Sequence, residues 1–426
     1  MDILSNSINQ ISSQLQIAWQ AMGYVWFLVL PPIFYWFFKF LWMYHIQTAY
    51  WLSLDWMLLE IIPPKDIEKS PKPMEALFVG MAGTEKSFSV IEEFIQGAFP
   101  DSFSLELYSD GGEVHFYIRT QKKYRHLVEA HLYAQYPDVE IVEVPDYVNE
   151  VPKIIPNKDW DIWGTDFEHT KPDPYPIRTY VKFEESVTGK MIDPLASLIE
   201  TMGKLAPGQK IWFQMVIAAT SPTWGAKEGK KVLEKLKGKE VKKEGIFERM
   251  WIDIKDIITS IFSLGVLDGE VSLTTASKKE EQPLDMRLSP GEREVLKAVE
   301  DNIGKLFYST KMRFVMVGRR QNFDKTFVSA FIGGIKQFGD ENLNTLKPES
   351  PSKTSTVYWF TKSRLRYKQR KILRRYRNRS RDGVKMTLST EELATLFHLP
   401  DMNVAAPALP RVEAKRGGAP ANLPIE

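Results

Sequence analysis

The N-terminal part of the chain contains a long stretch without charge. No charged side chain occurs from residue 3 to residue 38, and residues 22–38 read MGYVWFLVLPPIFYWFF. About 20 apolar residues span the hydrocarbon core of a bilayer. Residues 18–38 meet that length, because membrane helices tolerate prolines such as Pro31 and Pro32. The stretch predicts a transmembrane helix, and all later segments are then parts of a body tethered to a membrane.

The flanks of this stretch predict its orientation. The first lysine is Lys39, on the far side, and Lys65, Lys69 and Lys72 follow. An excess of positive charge marks the cytoplasmic side, so a single-pass protein of the inner (cytoplasmic) membrane with its body in the cytoplasm is expected. A cleaved signal peptide is disfavoured, since the stretch lacks a basic region before it and a small-residue cleavage site after it.

Residues 42–62, WMYHIQTAYWLSLDWMLLEII, are also strongly apolar but include His45, Asp55 and Glu60. Polar residues at this density fit a helix lying in the membrane interface, and a second span, which would reverse the topology, is the alternative. Residues 1–64 are therefore assigned to the membrane anchor and an interfacial helix.

Residues 65–150 predict a first compact unit. MEALFVGM indicates a strand and SFSVIEEFIQGAF a helix. Residues 103–120 then alternate apolar and polar side chains around Asp110, Gly111 and Gly112, which is typical of a hairpin. A helix and a last strand at 139–144 complete the order β-α-β-β-α-β, the arrangement of ferredoxin-like domains.

The same order is predicted a second time, after a Pro-rich connector at residues 151–176. The second unit covers residues 177–361, with a helical insertion at 223–307 between its halves. Its predicted strands and helices are, in order, IRTYVKFEE, DPLASLIETMGKL, KIWFQMVIAA, MRFVMVGRR, KTFVSAFIGGIKQF and TVYWF. Residues 362–426 follow as a basic helix, a short helix capped by Ser389 and Glu392, and a Pro-rich tail.

The expected fold class is α+β. It combines an N-terminal transmembrane helix, two tandem ferredoxin-like units of which the second carries a helical insertion, and a basic helix with a Pro-rich tail.

One motif resembles a nucleotide-binding loop. GMAGTEKS, residues 80–87, follows a segment predicted as a strand, but Glu85 occupies the position where the phosphate-binding loop has its second glycine. A carboxylate there repels phosphates, and its side chain removes the conformational freedom that glycine supplies. The motif is interpreted as an ordinary loop and helix start.

Other catalytic constellations are weak. The six histidines are scattered, and His126 and His131 are five residues apart, whereas a metal pair on a helix needs i and i+4. Asp161, Asp166 and their acidic neighbours are interpreted as turn formers and solvated charges. The absence of cysteine excludes disulfides, thiol catalysis and Cys-ligated metals. No catalytic residue, cofactor-binding residue, metal ligand or cofactor is assigned, and the chain is expected not to be an enzyme.

The basic segment at residues 362–381, KSRLRYKQRKILRRYRNRSR, is the strongest binding signal in the body. It contains eleven Lys or Arg and no acid, although the whole chain carries a net charge of only +2. Such density predicts a surface for a polyanion, which could be nucleic acid phosphates, anionic lipid head groups or the acidic face of a protein partner. The alternative is a solvated basic helix. The predicted polyanion-binding residues are Lys362, Arg364, Arg366, Lys368, Arg370, Lys371, Arg374, Arg375, Arg377, Arg379 and Arg381.

Several stretches carry a family resemblance. STEELATLFHLP, followed by a Pro-rich run and AKRGGAPANLP, resembles the segment ahead of the nucleotide-binding core in membrane-anchored ATPases of type IV secretion and conjugative DNA transfer. GGEVHFYIRT, LVEAHLYAQYPDVEI, WDIWGTDF and DPLASLIE resemble an uncharacterised bacterial membrane-protein family found as the front part of such ATPases. The resemblance covers residues 50–426.

In those ATPases a phosphate-binding loop follows, and this sequence ends at Glu426 without one. The resemblance therefore implies a membrane-anchored, non-catalytic half whose motor is a separate polypeptide or has been lost. The expected function is that of a scaffold or adaptor of a type IV secretion-like or DNA-translocation apparatus. The alternatives are a stand-alone membrane-surface binder of nucleic acid or anionic lipid and, third, an NTPase with a degenerate phosphate-binding loop.

The expected partners follow from this interpretation. They are the lipid bilayer, a separate translocation ATPase or other secretion components, a nucleic acid or anionic lipid, and further copies of the chain in a homo-oligomer.

Overall fold

The computed structural model describes residues 2–65, 70–183, 192–237, 289–401 and 409–411. The first elements along the chain are α1 (Asp2–Ser53), β1 (Trp56–Ile62), α2 (Lys72–Met81), α3 (Val90–Phe94), β2 (Phe103–Asp110), β3 (Glu113–Gln121), α4 (Arg125–Gln135), β4 (Glu140–Val144) and β5 (Trp160–His169). The remaining elements are α5 (Ala196–Gly203), β6 (Gln209–Ala219), α6 (Trp224–Leu236), α7 (Pro290–Ile303), β7 (Phe307–Arg319), α8 (Thr326–Lys336), β8 (Leu346–Pro348), α9 (Thr361–Arg377), β9 (Met386–Ser389) and α10 (Thr390–Leu396).

The chain divides into two compact units. Unit 1 comprises Met1–Trp56 and Lys86–Asp101, and unit 2 comprises Met57–Glu85 and Ser102–Glu426. Unit 1 consists of the 52-residue helix α1, which contains Pro31 and Pro32, and the short helix α3. The Trp42 indole donates a hydrogen bond to the Phe94 carbonyl (2.8 Å), which joins the two helices.

Unit 2 is built on one large sheet. Its strands lie in the order β4-β1-β3-β2-β6-β7-β5-β8, and β9 pairs with β7. The pairs β1–β4, β2–β3, β2–β6, β6–β7, β5–β7, β5–β8 and β7–β9 are all antiparallel. The fold is therefore α+β with a mainly antiparallel sheet, as the sequence predicts at this level.

The two halves of the sheet share one internal order. In β1 to β4 and again in β5 to β8, the fourth strand lies beside the first, then the third, then the second. The halves meet where their second strands, β2 and β6, pair from Phe103 opposite Ile217 to Asp110 opposite Lys210. The two patterns of alternating strands and helices therefore merge into one continuous sheet.

Both faces of the sheet are covered. Along β7, Met312, Phe314 and Met316 belong to a large apolar core, whereas Val315 and Val317 belong to a smaller core on the opposite face, as the period of two in a strand requires. Helices α2, α4, α5, α8 and α10 supply side chains to the large core. The smaller core is closed by α9 and by residues 147–155.

Three predicted strands are wrong. Residues 74–81 lie in α2, where Met74, Leu77, Phe78 and Met81 are buried at helical spacing. Residues 180–183 form a short 3₁₀ helix, and residues 356–360 are not part of a strand. A short apolar run does not by its composition distinguish a strand from a buried helix face or a loop.

Two strands occur where the sequence predicts something else. Residues 56–62, predicted as part of an interfacial helix or second span, form β1, because α1 ends at Ser53 and Met57, Leu58, Leu59 and Ile61 are buried in the sheet. Residues 160–169, within the predicted connector, form β5. Residues 238–288 of the predicted insertion and most of the tail after Asp401 lie outside the described residues.

The predicted membrane span can be compared with the length and hydropathy of the described helices. Among the residues that the structure describes, no helix has a stretch long and apolar enough to cross a bilayer. The side chains of residues 24–29, inside the predicted span, lie outside the described part of the chain. The anchor therefore stays a prediction.

The GMAGTEKS motif does not have the setting of a phosphate-binding loop. Its first two residues, Gly80 and Met81, are the last residues of helix α2, so no strand precedes the motif, and residues Ala82–Thr84 form a short 3₁₀ helix. Helix α3 begins only at Val90, behind the capping residue Ser89. A phosphate-binding loop joins a strand to a helix, so the strand predicted ahead of this motif was wrong.

Candidate polyanion-binding surface

The basic segment forms helix α9 because two of its properties favour a helix. Lys, Arg, Leu and Gln have high helix propensity, and Gln369, Ile372, Leu373 and Tyr376 are buried at the spacing of one helix face. In the last turn, Arg374, Arg375 and Arg377 lie at the negative end of the helix dipole. Tyr376 extends the short apolar stripe of Ile372 and Leu373 along the buried face of the helix.

Helix α9 packs closely on the sheet at Gly164 of β5. A Cβ atom at Gly164 would lie 3.1 Å from Cγ1 of Ile372 and 3.0 Å from the carbonyl oxygen of Phe314. The absence of a side chain at Gly164 lets the helix approach the strand. Ile372, Leu373 and Tyr376 then join the core formed by Trp212, Val315 and other side chains of this face.

A row of polar side chains crosses four strands beneath α9. Glu106 on β2, Gln214 on β6, Arg313 on β7 and Asp166 on β5 lie directly opposite one another and are all fully buried. Nε2 of Gln214 donates to Glu106 (2.9 Å), and the Arg313 guanidinium donates to Gln214 (3.1 Å) and to Asp166 (2.7 Å). Each side chain of the row is therefore hydrogen-bonded to its neighbour, as buried polar groups require.

Arg379, two residues after α9, closes one end of this row. Its guanidinium donates to both carboxylate oxygens of Glu106 (2.9 and 3.1 Å) and to both of Asp146 (2.6 and 2.8 Å). The Tyr147 hydroxyl also donates to Glu106 (2.7 Å) and lies 2.6 Å from the Tyr376 hydroxyl. The end of the basic segment is thus fixed to β2 by buried, charge-assisted hydrogen bonds.

A second group of charges surrounds Asp166 at the other end. Its carboxylate lies 2.9 Å from Nζ of Lys311 and 3.7 Å from the Arg375 guanidinium. Lys311 also lies 3.6 Å from Glu349. Arg313 donates further to the carbonyls of Arg375 (3.0 Å) and Ser380 (3.1 Å), so the backbone at the end of α9 is also held. Asp166, which the sequence suggests is a solvated turn residue, is instead the centre of a buried ion cluster.

The environment shifts several pKa values around Glu106. Burial acts to raise the pKa of Glu106, but the Arg379 charge and the hydrogen bonds from Arg379, Ser104 and Tyr147 hold it below its ordinary value. Burial likewise opposes the charge of Arg379, and Glu106 and Asp146 together raise the pKa of Arg379 well above its ordinary value. Burial raises the pKa of Tyr376. Glu106 and Arg379 are therefore both ionised at neutral pH.

The structure divides the eleven predicted residues into three groups. The first group is exposed and consists of Lys362, Arg364, Arg366, Arg370 and Arg374. The second is partly buried and consists of Lys368, Lys371, Arg375, Arg377 and Arg381. The third is Arg379, which is buried and paired with carboxylates.

Members of the second group have internal roles. Lys368 donates to the carbonyls of Lys353 (3.0 Å) and Ser355 (3.3 Å), and Arg377 donates to those of Val148 and Val151 (both 2.7 Å). Burial lowers the pKa of Arg381 to about 10, so this residue remains charged at neutral pH. The charges free to meet a polyanion therefore concentrate on the outer side of α9, above all in its N-terminal half.

A small cavity lies beside α9. Its volume is about 110 Å³, and its lining includes Lys368, Lys371, Arg375 and Glu349. Pockets for small organic ligands usually measure roughly 300–1,000 Å³. Within the described residues, no three His, Asp or Glu side chains are grouped to hold a metal ion. The arrangement favours contact with an extended charged surface over capture of a small molecule.

A comparison with protein families places the chain. The model of a family described as a domain of unknown function, DUF8128, matches residues 52–410. The chain belongs to the DUF8128 family. The match includes α9 and the four strands of the buried polar row, and it leaves out nearly all of α1. No curated protein matches the chain.

In this DUF8128 protein, sequence reasoning found the basic segment but missed its buried partners. Glu106 in FSLELYSD and Arg313 in MRFVMVGR are charged residues inside otherwise apolar strands. A charge at such a position needs a partner of opposite sign when it is buried. That signal predicts a buried ion network, although it does not identify the partners.

Proposed function

We propose that this protein is a non-catalytic, membrane-anchored scaffold or adaptor that presents the N-terminal half of α9 to a polyanion. The observation that carries the proposal is the division of α9, where one end is fixed by buried ion pairs and the other exposes Lys362, Arg364, Arg366 and Arg370. A rigid support for exposed cations is suited to docking, because less conformational freedom is lost on binding.

The distribution of charge along α9 supports a binding role for these cations. The first turn of the helix contains Lys362 and Arg364 and no acid. The positive end of the helix dipole disfavours cations at this position. Their arrangement is therefore suboptimal for the stability of the helix, and a bound anion would relieve the repulsion.

Exposed apolar side chains of unit 1 support the membrane anchor. Along α1, side chains including Ile33, Phe34, Trp36, Phe37 and Phe40 are more than half exposed. Contiguous apolar surface of this kind marks contact with protein or membrane. With Lys39 as the first lysine of the chain, the positive-inside bias favours a body in the cytoplasm, beside the inner membrane.

The order of strands supports two ferredoxin-like units in the body. Each half has the order strand, helix, strand, strand, helix, strand once residues 86–101 and 220–306 are set aside, and each has the same arrangement of its four strands. Fold does not identify function. We propose that these units serve as partner surfaces.

Docking of a separate translocation ATPase is the proposed role of the assembly. It rests on the resemblance of residues 389–400 and the central stretches to the non-ATPase part of type IV secretion and conjugative ATPases. The alternative is a stand-alone membrane-surface protein that binds nucleic acid or anionic lipid, and the same exposed cations support it. An NTPase is the least favoured, because GMAGTEKS lacks both its second glycine and a preceding strand.

Affinity purification from detergent-solubilised native membranes, analysed by mass spectrometry, tests the proposal. The full-length chain is compared with a Lys362→Glu/Arg366→Glu/Arg370→Glu variant, which keeps Arg364 and its hydrogen bond to the Tyr358 carbonyl. A truncation at Thr361 is unsuitable, because it would remove buried Ile372, Leu373 and Tyr376 together with β9. The matched control is Lys227→Glu/Lys230→Glu/Lys235→Glu, which makes the same change of charge at exposed positions of α6.

We expect an ATPase to co-purify with the full-length chain and the α6 control and to be lost with the α9 variant. Recovery of the same ATPase with all three chains would move the docking surface away from α9. Recovery of no partner with any of them would contradict the scaffold and favour the stand-alone binder.

A further inference from the structure

Four consecutive apolar side chains project from the loop just before α9. Val357, Tyr358, Trp359 and Phe360 are 76%, 73%, 82% and 81% exposed. The sequence predicts a strand here, which would bury at least alternate side chains. Soluble surfaces rarely present such a continuous apolar run unless it contacts something.

The loop is held in this exposed conformation by its own hydrogen bonds. Thr356 Oγ1 donates to the Thr361 carbonyl (3.1 Å), and the Arg364 guanidinium donates to the Tyr358 carbonyl (2.8 Å). Trp359 and Phe360 have φ angles of 35° and 52°. Residues with bulky side chains rarely adopt this left-handed conformation. The loop thus keeps its large rings in solvent at a cost in backbone conformation.

The exposed cations of α9 follow directly in the chain. Lys362, Arg364 and Arg366 lie within six residues of Phe360, and Tyr367 in the same turn is 62% exposed. Trp and Tyr favour the interface between water and hydrocarbon, and Lys and Arg bind anionic head groups. We infer that residues 357–360 insert into the interfacial layer of an anionic bilayer while the N-terminal half of α9 lies on the head groups. This inference rests on the proposed polyanion-binding function and names the polyanion.

The chemistry of the loop favours lipid over single-stranded nucleic acid. Base stacking needs aromatic platforms along a groove that follows the phosphate backbone. Val357 has no ring for a base to stack on. Trp359 and Phe360 are adjacent residues of one bend in the backbone, so their rings do not form a row of platforms spaced along an extended strand. A bilayer interface accepts aliphatic and aromatic side chains in any mutual orientation.

A single introduced cysteine can report the insertion, because the chain has no cysteine of its own. Val357→Cys in the full chain is labelled with an environment-sensitive fluorophore and reconstituted into vesicles of phosphatidylcholine alone or of phosphatidylcholine with phosphatidylglycerol. Asp138→Cys, at an exposed turn after α4, is the matched control. Flotation of the vesicles records whether the chain is membrane-bound, independently of the probe.

We expect a blue shift of the Val357→Cys probe and several-fold quenching by lipids with a quencher on the acyl chain, in anionic vesicles only. The control probe should show neither. A chain that floats with both vesicle types while the probe at residue 357 stays silent would overturn the inference and leave the anchor intact. A chain that floats only with anionic vesicles, with a responding probe, supports the loop and contradicts the anchor.

A chain that floats with neither vesicle type would contradict both the inserted loop and the membrane anchor. A response of the probe to a single-stranded oligonucleotide, but not to anionic vesicles, would assign the surface to nucleic acid and reject the lipid.

A second variant guards against an effect of misfolding. Trp359→Asn/Phe360→Asn in the Val357→Cys chain removes both rings, and Asn adopts the left-handed conformation more readily than they do. We expect the blue shift to be lost while the circular dichroism spectrum is unchanged. A retained blue shift would contradict insertion of the two rings.

Discussion

Arg379 and Glu106 hold opposite charges in a place that water does not reach. Glu106 is fully buried, and Arg379 is 5% exposed. Removing one partner of a buried ion pair leaves an uncompensated charge. This usually destabilises the fold more than replacing both partners with apolar residues. These residues therefore determine whether the end of α9 stays on the sheet, and they are unsuited to binding an external polyanion.

Replacement of Arg379 should destabilise the fold strongly. We expect Arg379→Leu to lower the free energy of unfolding by about 3–5 kcal/mol, because Glu106 loses its main partner. Urea-induced unfolding in detergent, followed by circular dichroism, measures the change. Arg374→Leu is the matched control on the exposed side of the same segment, with an expected effect within about 0.5 kcal/mol. Equal effects of the two variants would show that the network does not hold α9.

The pH dependence of stability should also report Glu106. Since its pKa in the folded protein is below the ordinary value of 4.5, the folded chain binds fewer protons than the unfolded chain in acid. Its contribution is fully present above about pH 4.5 and is lost as the pH falls through the folded-state value.

We therefore expect Glu106→Gln to be less stable than the natural chain at pH 7, with the difference shrinking as the pH falls below 4.5. Thermal unfolding over a series of pH values measures this, with Glu341→Gln, at an exposed position, as the control. A difference that stays constant from pH 7 to acid would contradict ionisation of Glu106 in the folded state.

At the scale of elements, the predictions that succeeded rest on local signals. The hairpin of β2 and β3 is confirmed. Gly111 and Gly112 in its turn have φ angles of 55° and 100°, which favour glycine. The short helix behind Ser389 is confirmed, with a complete capping box to Glu392. Strands β6 and β7 and helix α8 lie where their patterns predict.

The failures arise where tertiary contacts decide the outcome. Residues 74–81 have enough apolar side chains for a buried strand, but only one side of α2 faces the core. Residues 357–360 are also apolar, but their side chains are exposed. For the candidate site, the sequence predicts the eleven basic residues but not their division, because the partners of Arg379 lie 233 and 273 residues away.

The division of α9 predicts which cations bind. We expect Lys362→Glu/Arg366→Glu/Arg370→Glu, which keeps Arg364 and its hydrogen bond to the Tyr358 carbonyl, to lose most of its affinity for an anionic nanodisc or a DNA oligonucleotide and to keep the unfolding temperature of the natural chain. Acidic residues in the first turn are favoured by the helix dipole by about 0.3–1 kcal/mol each. Binding is measured in detergent or nanodiscs over a range of salt concentrations, where the salt dependence should also weaken.

The α6 variant Lys227→Glu/Lys230→Glu/Lys235→Glu serves again as the control of equal charge. An α9 variant that binds both polyanions as tightly as the natural chain at moderate salt would reject α9 as the binding surface.

At the scale of the whole body, the seam between β2 and β6 makes the two halves of unit 2 interdependent. Phe213 on β6 lies opposite Leu107 of β2 and Phe314 of β7 and is fully buried. Without this seam, β2 would be an exposed edge strand of eight residues, which is a site for aggregation. The halves resemble repeated units in their strand order, but the sheet joins them within one compact unit.

If the two halves unfold together, a destabilising substitution at Phe213 should destabilise both of them. We expect Phe213→Leu to lower the free energy of unfolding by about 1–3 kcal/mol, as truncation of a core side chain does. Hydrogen exchange measured by mass spectrometry should accelerate by the same factor in peptides from β3 and from β5, because both open only when the whole sheet unfolds. Ile141→Val on the outermost strand β4 is the control, and its effect should stay in β4 and β1. Faster exchange confined to β5, β7 and β8 in the Phe213→Leu chain would show that the halves unfold separately.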